Sequence, residues 1–172
     1  NFAVELTRKL YTYNAINAAV CYLGAEQGYT WLADAANDSE IANLARQVGE
    51  ESSAALVAEY GFDIDEQRGW CERALAKYQD ATIRDPIERN ARDPIRKLGL
   101  YDRILGPLHL CIFHGLPHDA LAETLRSALT YREPSDESAV KLAELVDDFG
   151  HYGAIRTLAE GLHNSVEQLL CP

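Results

Sequence analysis

The chain has 172 residues, a formal net charge of −11 and a pI of about 4.8. Such a surface repels phosphate backbones, which excludes nucleic acid as the expected partner. Length and a 47% hydrophobic share suit one domain with its own core, while no apolar run approaches the ~20 residues of a membrane span. No basic segment followed by an apolar one opens the chain, so a signal peptide is not expected and a cytoplasmic location is. Residue 1 is Asn and the chain contains no methionine, which suggests a piece of a longer protein.

The periodicity is helical throughout, and no stretch alternates as a strand would. A first helix is expected from Phe2 to Leu23, with Leu6, Leu10, Tyr13, Val20 and Leu23 on one side and Gly24 as its C′ residue. A short helix follows from Thr30 to Ala36. Asp38 can cap a long helix that ends at Gly61. Asp63 to Glu66 reads as a capping box for a helix ending near Tyr78. Pro86 and Pro94 punctuate a charged stretch of turns from Asp80 to Arg103, with Pro86 at N1 of a brief helix. A buried helix kinked at Pro107 is expected from Tyr101 to Phe113. Helices from Pro117 to Tyr131 and Ser135 to Phe149 follow, then a shorter pair from Tyr152 to Leu170. Packed around one core, these make an irregular all-α domain spanning residues 1–172.

Cys21, Cys71, Cys111 and Cys171 are widely separated and read as reduced thiols in helices. Lys9, Asn14 and Asn17 stand out on the first helix. At about 100° per residue, Lys9 and Asn17 project about 80° apart and Asn14 about 60° beyond Asn17. This is either a substrate site, with a half-buried lysine as base and two amides orienting hydroxyls, or a solvated polar face. Arg84, Arg89, Arg92, Arg96, Lys97 and Arg103 crowd into twenty positions, interleaved with Asp85, Glu88, Asp93 and Asp102. They suit anion binding or internal ion pairs equally. His114 and His118 flank a Gly-Leu-Pro turn, and their spacing argues for turn formation and capping rather than a metal site. No glycine-rich dinucleotide fingerprint, P-loop or nucleophile elbow occurs.

The run Arg8-Lys9-Leu10-Tyr11-Thr12-Tyr13-Asn14-Ala15-Ile16-Asn17, with Tyr22-Leu23-Gly24, resembles the signature of the mannitol dehydrogenase family. The mannitol-1-phosphate 5-dehydrogenase branch is nearest. The similarity continues through Glu50-Glu51-Ser52, Tyr60-Gly61-Phe62-Asp63, Ile87-Glu88-Arg89, Pro94-Ile95-Arg96-Lys97-Leu98, Asp102-Arg103 and Gly115-Leu116-Pro117-His118. It implies an all-helical C-terminal domain similar to that of 6-phosphogluconate dehydrogenase. It also implies an N-terminal Rossmann domain that binds NAD, with no metal, and a polyol or polyol phosphate in the cleft between the two. By this resemblance Lys9 takes the alcohol proton as hydride leaves for NAD, and Asn14 holds the reacting oxygen. Asn17 occupies the position of the family's histidine. Arg96 and Arg103 fall where the family contacts the substrate's far end. An amide cannot titrate near neutral pH, so a catalytically impaired binding or assembly module is the competing expectation.

Overall fold

The computed structural model describes residues 2–170, with side chains described through residue 159. Those residues contain ten α-helices and one π turn: α1 (Phe2–Lys9), the π turn (Leu10–Asn14), α2 (Ala15–Glu26), α3 (Leu32–Asn37), α4 (Ser39–Tyr60), α5 (Ile64–Gln79), α6 (Ile87–Ala91), α7 (Pro94–Lys97), α8 (Leu105–Phe113), α9 (Asp119–Thr130) and α10 (Glu137–Leu170). The all-α architecture expected from the periodicity is the one observed. The single β-bridge among the described residues joins Trp31 to Pro86. Cys171 lies outside the described residues, as does the side chain of His163.

Helix α2 is the axis of the domain. Ala15, Ile16, Ala18, Ala19, Val20, Cys21, Tyr22 and Gly24 are all buried, so it is covered on every side rather than along one stripe. Helices α3, α4, α5, α6 and α9 pack around it. Small residues allow this. A Cβ at Gly24 would sit 2.6 Å from Ile87 Cδ1 and 2.8 Å from Ala35 Cβ. Gly24 is therefore a close-approach point inside α2 and not the helix terminus. The chain turns two residues beyond α2, at Gly28 with φ of 79°.

The expected caps form. Asp38 accepts from the amides of Glu40 and Ile41, and Asp63 accepts from Glu66 N. Other local expectations are corrected. Pro94, not Pro86, takes the first helical position, and Pro86 is an N-cap. Pro107 lies in the first turn of α8, where a missing amide costs nothing, so it causes no mid-helix kink. Helix α8 is not buried on most sides either, since Ile112 and Phe113 are exposed. The break expected between Phe149 and Tyr152 falls at Gly150, whose φ of 69° is non-helical, while the pair expected from Tyr152 to Leu170 is a single helical run.

His118 holds the N-cap position of α9, but its Nδ1 turns back toward Leu116 O. The capping acceptor comes from α4 instead. Glu51 Oε1 and Oε2 accept from the amides of Ala120 and Leu121.

Candidate active site

The first helix is not uniformly α. Residues 10–14 close in the i→i+5 pattern, which places one extra residue in the turn. Every later side chain is thereby rotated by about 100° relative to Lys9. Asn14 comes to about 40° from Lys9 and Asn17 to about 20° on the other side. The sector of about 140° expected from an α-helix narrows to about 60°. The π turn thus resets the register between Lys9 and the two asparagines that follow it.

A buried polar network secures that turn. The Arg8 side chain is 4% exposed and lies between two rings, 4.5 Å from the Phe62 centroid and 4.4 Å from that of Trp70. Its Nε donates to Gln67 Oε1 at 2.8 Å, and its Nη1 to Glu66 Oε1 at 3.2 Å. Gln67 Nε2 in turn donates to Thr12 Oγ1 at 2.6 Å, inside the π turn. The Tyr78 hydroxyl donates to Tyr13 O at 3.0 Å. Helix α5 is therefore fastened to both ends of the turn.

Asn14 and Asn17 open onto a cleft of about 230 Å³. Lys77, Asp85, Asn90 and Arg103 line it with them, together with Leu32 and Ile83. Asn17 is 9% exposed, and its Nδ2 donates to Asn90 Oδ1 at 3.0 Å. Arg103 is 13% exposed. Its Nε donates to Asp102 Oδ1 at 2.8 Å, and its Nη atoms make no hydrogen bond to a described residue. Asp85 Oδ1 is buried without a hydrogen-bond partner, though Arg89 Nη1 lies 3.5 Å away. The lining thus mixes amide, carboxylate and cationic side chains with apolar ones, a set that can both donate to and accept from a bound polar molecule.

Two other candidates stand apart. Lys9 ends α1, is exposed and does not line this cleft, so the half-burial expected of it is not provided within the described residues. Arg96 lies in a different groove with Arg92, Asp136 and Lys141, where its Nε donates to Asp93 Oδ2 at 2.8 Å. Asp93 needs that support, because its φ of 59° is left-handed.

Pairs therefore account for much of the basic stretch, in Arg89–Asp85, Arg96–Asp93 and Arg103–Asp102. Arg84 lies over the Trp31 ring. Lys97 is buried, and its Nζ donates to the carbonyls of Asn90 and Arg92 at the end of α6. Burial pulls its pKa below the ordinary lysine value. His114 Nε2 lies 2.8 Å from Glu59 Oε2. Among the described residues, no three His, Cys, Asp or Glu side chains converge as metal ligands. No helix among them is long and apolar enough to cross a membrane.

Sequence patterning did not single out Gln67, Lys77 or Asn90, and it named Asp85 only as an ion-pair partner for the basic stretch. Asn90 carried one usable signal, a polar residue inside the five-residue helix α6 whose neighbours Ile87 and Ala91 are core residues.

Residues 5–169 match the profile of the mannitol dehydrogenase C-terminal domain. A solved structure of D-sorbitol dehydrogenase in substrate-free form superposes with a TM-score of 0.66 and 16% identity. The alignment covers 90% of this chain and 41% of that one. At that identity the likeness is one of fold. The chain thus spans less than half the length of this structural relative.

Proposed function

The chain belongs to the mannitol dehydrogenase family, matching its C-terminal domain, and from that premise we propose that it is the substrate domain of a cytoplasmic, NAD-dependent oxidoreductase acting on the CH–OH group of a sugar alcohol or its phosphate. The observation that carries this reading is the convergence of Asn14, Asn17 and Arg103 on one polar cleft. Lys9 takes the proton from the reacting hydroxyl. Its exposure on this domain suits a cleft completed by an N-terminal Rossmann domain, against which Lys9 becomes enclosed. Asn14, whose side-chain amide has no partner among the described residues, donates to the reacting oxygen. Asn17 accepts from a neighbouring hydroxyl. The unpaired Nη edge of Arg103 binds the substrate's far end, whether hydroxyl or phosphate. Arg96 supports the loop at Asp93 in this scheme, and its groove lies outside the binding residues.

NAD accepts the hydride when bound. The described residues contain no strand and glycine loop that would cradle a dinucleotide, so the cofactor belongs to the N-terminal domain. The isolated domain is expected to show no saturable NAD binding by calorimetry.

A second reading, a binding or assembly module without turnover, is favoured by one observation. Asn17 cannot titrate near neutral pH, and its amide is engaged with Asn90. One experiment separates the two. The full-length protein is assayed with D-mannitol, D-sorbitol and mannitol 1-phosphate, using both nicotinamide cofactors. Turnover is expected, and Lys9→Ala should lower kcat by about 10²–10⁴-fold with an unchanged melting profile. Unaltered turnover in that variant would remove Lys9 from the role of base. Inactivity of the unaltered protein on every polyol would favour the module.

A further inference from the structure

The Asn90 side chain is held at both ends. Its Nδ2 donates to Pro86 O at 3.0 Å. A backbone carbonyl can only accept, so this bond decides which end of the amide faces Pro86. Asn90 Oδ1 must then face Asn17, where it accepts from Asn17 Nδ2 at 3.0 Å. The same logic passes one residue further. With Nδ2 committed to Asn90, Asn17 is left with Oδ1 as its free end, on the wall of the cleft. No described residue donates to that oxygen. The backbone carrying Asn90 is fixed as well, since the buried Lys97 Nζ bonds the Asn90 and Arg92 carbonyls together. The loop before α6 is clipped to the loop before α3 by Leu32 N to Asp85 O at 2.9 Å and Ile87 N to Thr30 O at 3.0 Å.

We infer that Asn90 is a positioning residue that turns Asn17 so that its Oδ1 faces the cleft as a fixed acceptor, which reads a substrate hydroxyl by its hydrogen. This rests on the polyol reading above. A hydroxyl satisfies the oxygen. A carbonyl, carboxylate or dianionic phosphate oxygen placed there would set lone pair against lone pair. The position therefore discriminates between polyols by the configuration of the carbon beside it. D-Mannitol and D-sorbitol, which differ at one carbinol centre, are suitable probes.

The test uses the full-length protein in two arms, with Asn90→Leu and Asn90→Asp compared at equal foldedness by circular dichroism. In the first arm, asparagine is ¹⁵N-labelled and exchange of the Asn17 side-chain amide with solvent is measured. Exchange should be slow in the unaltered protein and in Asn90→Asp, which keeps an acceptor. It should be about tenfold faster in Asn90→Leu. In the second arm, the ratio of kcat/KM for the two polyols is measured. Asn90→Leu should shrink the preference about fivefold or more, chiefly through KM, and Asn90→Asp should restore much of it. Free exchange at Asn17 in the unaltered protein overturns the inference. So does an Asn90→Leu variant with unchanged exchange and unchanged selectivity. Absence of turnover on any polyol overturns the functional reading, and hydroxyl recognition with it, while the exchange arm still decides the Asn17–Asn90 geometry.

Discussion

Arg8 Nε donates to Gln67 Oε1 across a separation of 59 residues, and the same Gln67 side chain donates to Thr12 Oγ1, so helix α5 ties the end of α1 to the π turn that follows it. The pair is buried, and the Arg8 guanidinium is also stacked between Phe62 and Trp70. Arg8→Ala would strand the Gln67 oxygen and empty the space between the rings. A loss of about 2–4 kcal/mol is expected in urea unfolding, since Glu66, the remaining partner, stays solvated. An unchanged midpoint would show that the network is ornamental.

Lys97→Met tests the anchor at the end of α6. Two part-buried carbonyls lose their donor, which costs about 1–3 kcal/mol, and release from desolvation of the cation offsets part of that. The expected result is a net loss near the lower end of that range in chemical denaturation. A gain would mean that burial of the charge outweighs its hydrogen bonds.

Gly24→Ala tests close packing on α2. Alanine is the better helix former by roughly 1 kcal/mol, yet the new Cβ would meet Ala35 Cβ at 2.8 Å. A methyl carbon has no flexible end to withdraw, so α3 must shift. Net destabilisation of about 1–3 kcal/mol is expected from thermal melts.

The domain should weaken at alkaline pH. Burial pushes the thiols of Cys21 and Cys111 up to about 12, from an ordinary value of 9.0. Burial, with neighbouring tyrosines and acids adding to it, raises Tyr11 and Tyr131 to about 12 from 10.0, and Tyr22 well above 10.0. Below pH 9 both folded and unfolded chains keep these protons. Above it the unfolded chain releases them first, so their stabilisation is lost as pH rises from about 9 toward 12. Lys97, whose pKa is lowered by burial, acts in the opposite sense below its ordinary value of 10.5, but it is one group against several. The melting temperature should therefore fall steeply above pH 9, and a flat profile to pH 11 would contradict the burial of these groups.

Asn17→His in the full-length protein should add an ionisation near about 6.5 to the pH dependence of kcat/KM. The asparagine offers no proton in that range. A profile unchanged between pH 5.5 and 8 would show that position 17 does not face the reacting centre.

Much of the helical frame was legible in the chain itself. Asp38 and Asp63 cap their helices through amides two or three residues away, so the signal and its effect are local. Family resemblance pointed to Lys9, Asn14 and Asn17, which patterning alone left open between a site and a solvated face. Local reasoning failed where distant packing decided the outcome. Gly24 looked like a terminator because glycine after a helical run commonly is one. Its purpose is contact with Ile87 and Ala35, which local sequence cannot show. Glu51 displaced His118 as the cap of α9 from 69 residues away.

Sequence by itself determined that this chain is helical, where most helices begin and end, and which polar residues its first helix carries. Those properties arise from backbone preferences and hydrogen bonds within a turn or two. Only the tertiary structure decided how the polar residues are used. It revealed the π turn between Lys9 and the two asparagines, brought Asn14 and Asn17 to one cleft with Arg103, and left Lys9 and Arg96 outside it. It also set the direction of the Asn17 amide through Asn90, 73 residues away. An amide reads the same in sequence whichever end it presents, and only its partners in the fold distinguish donor from acceptor.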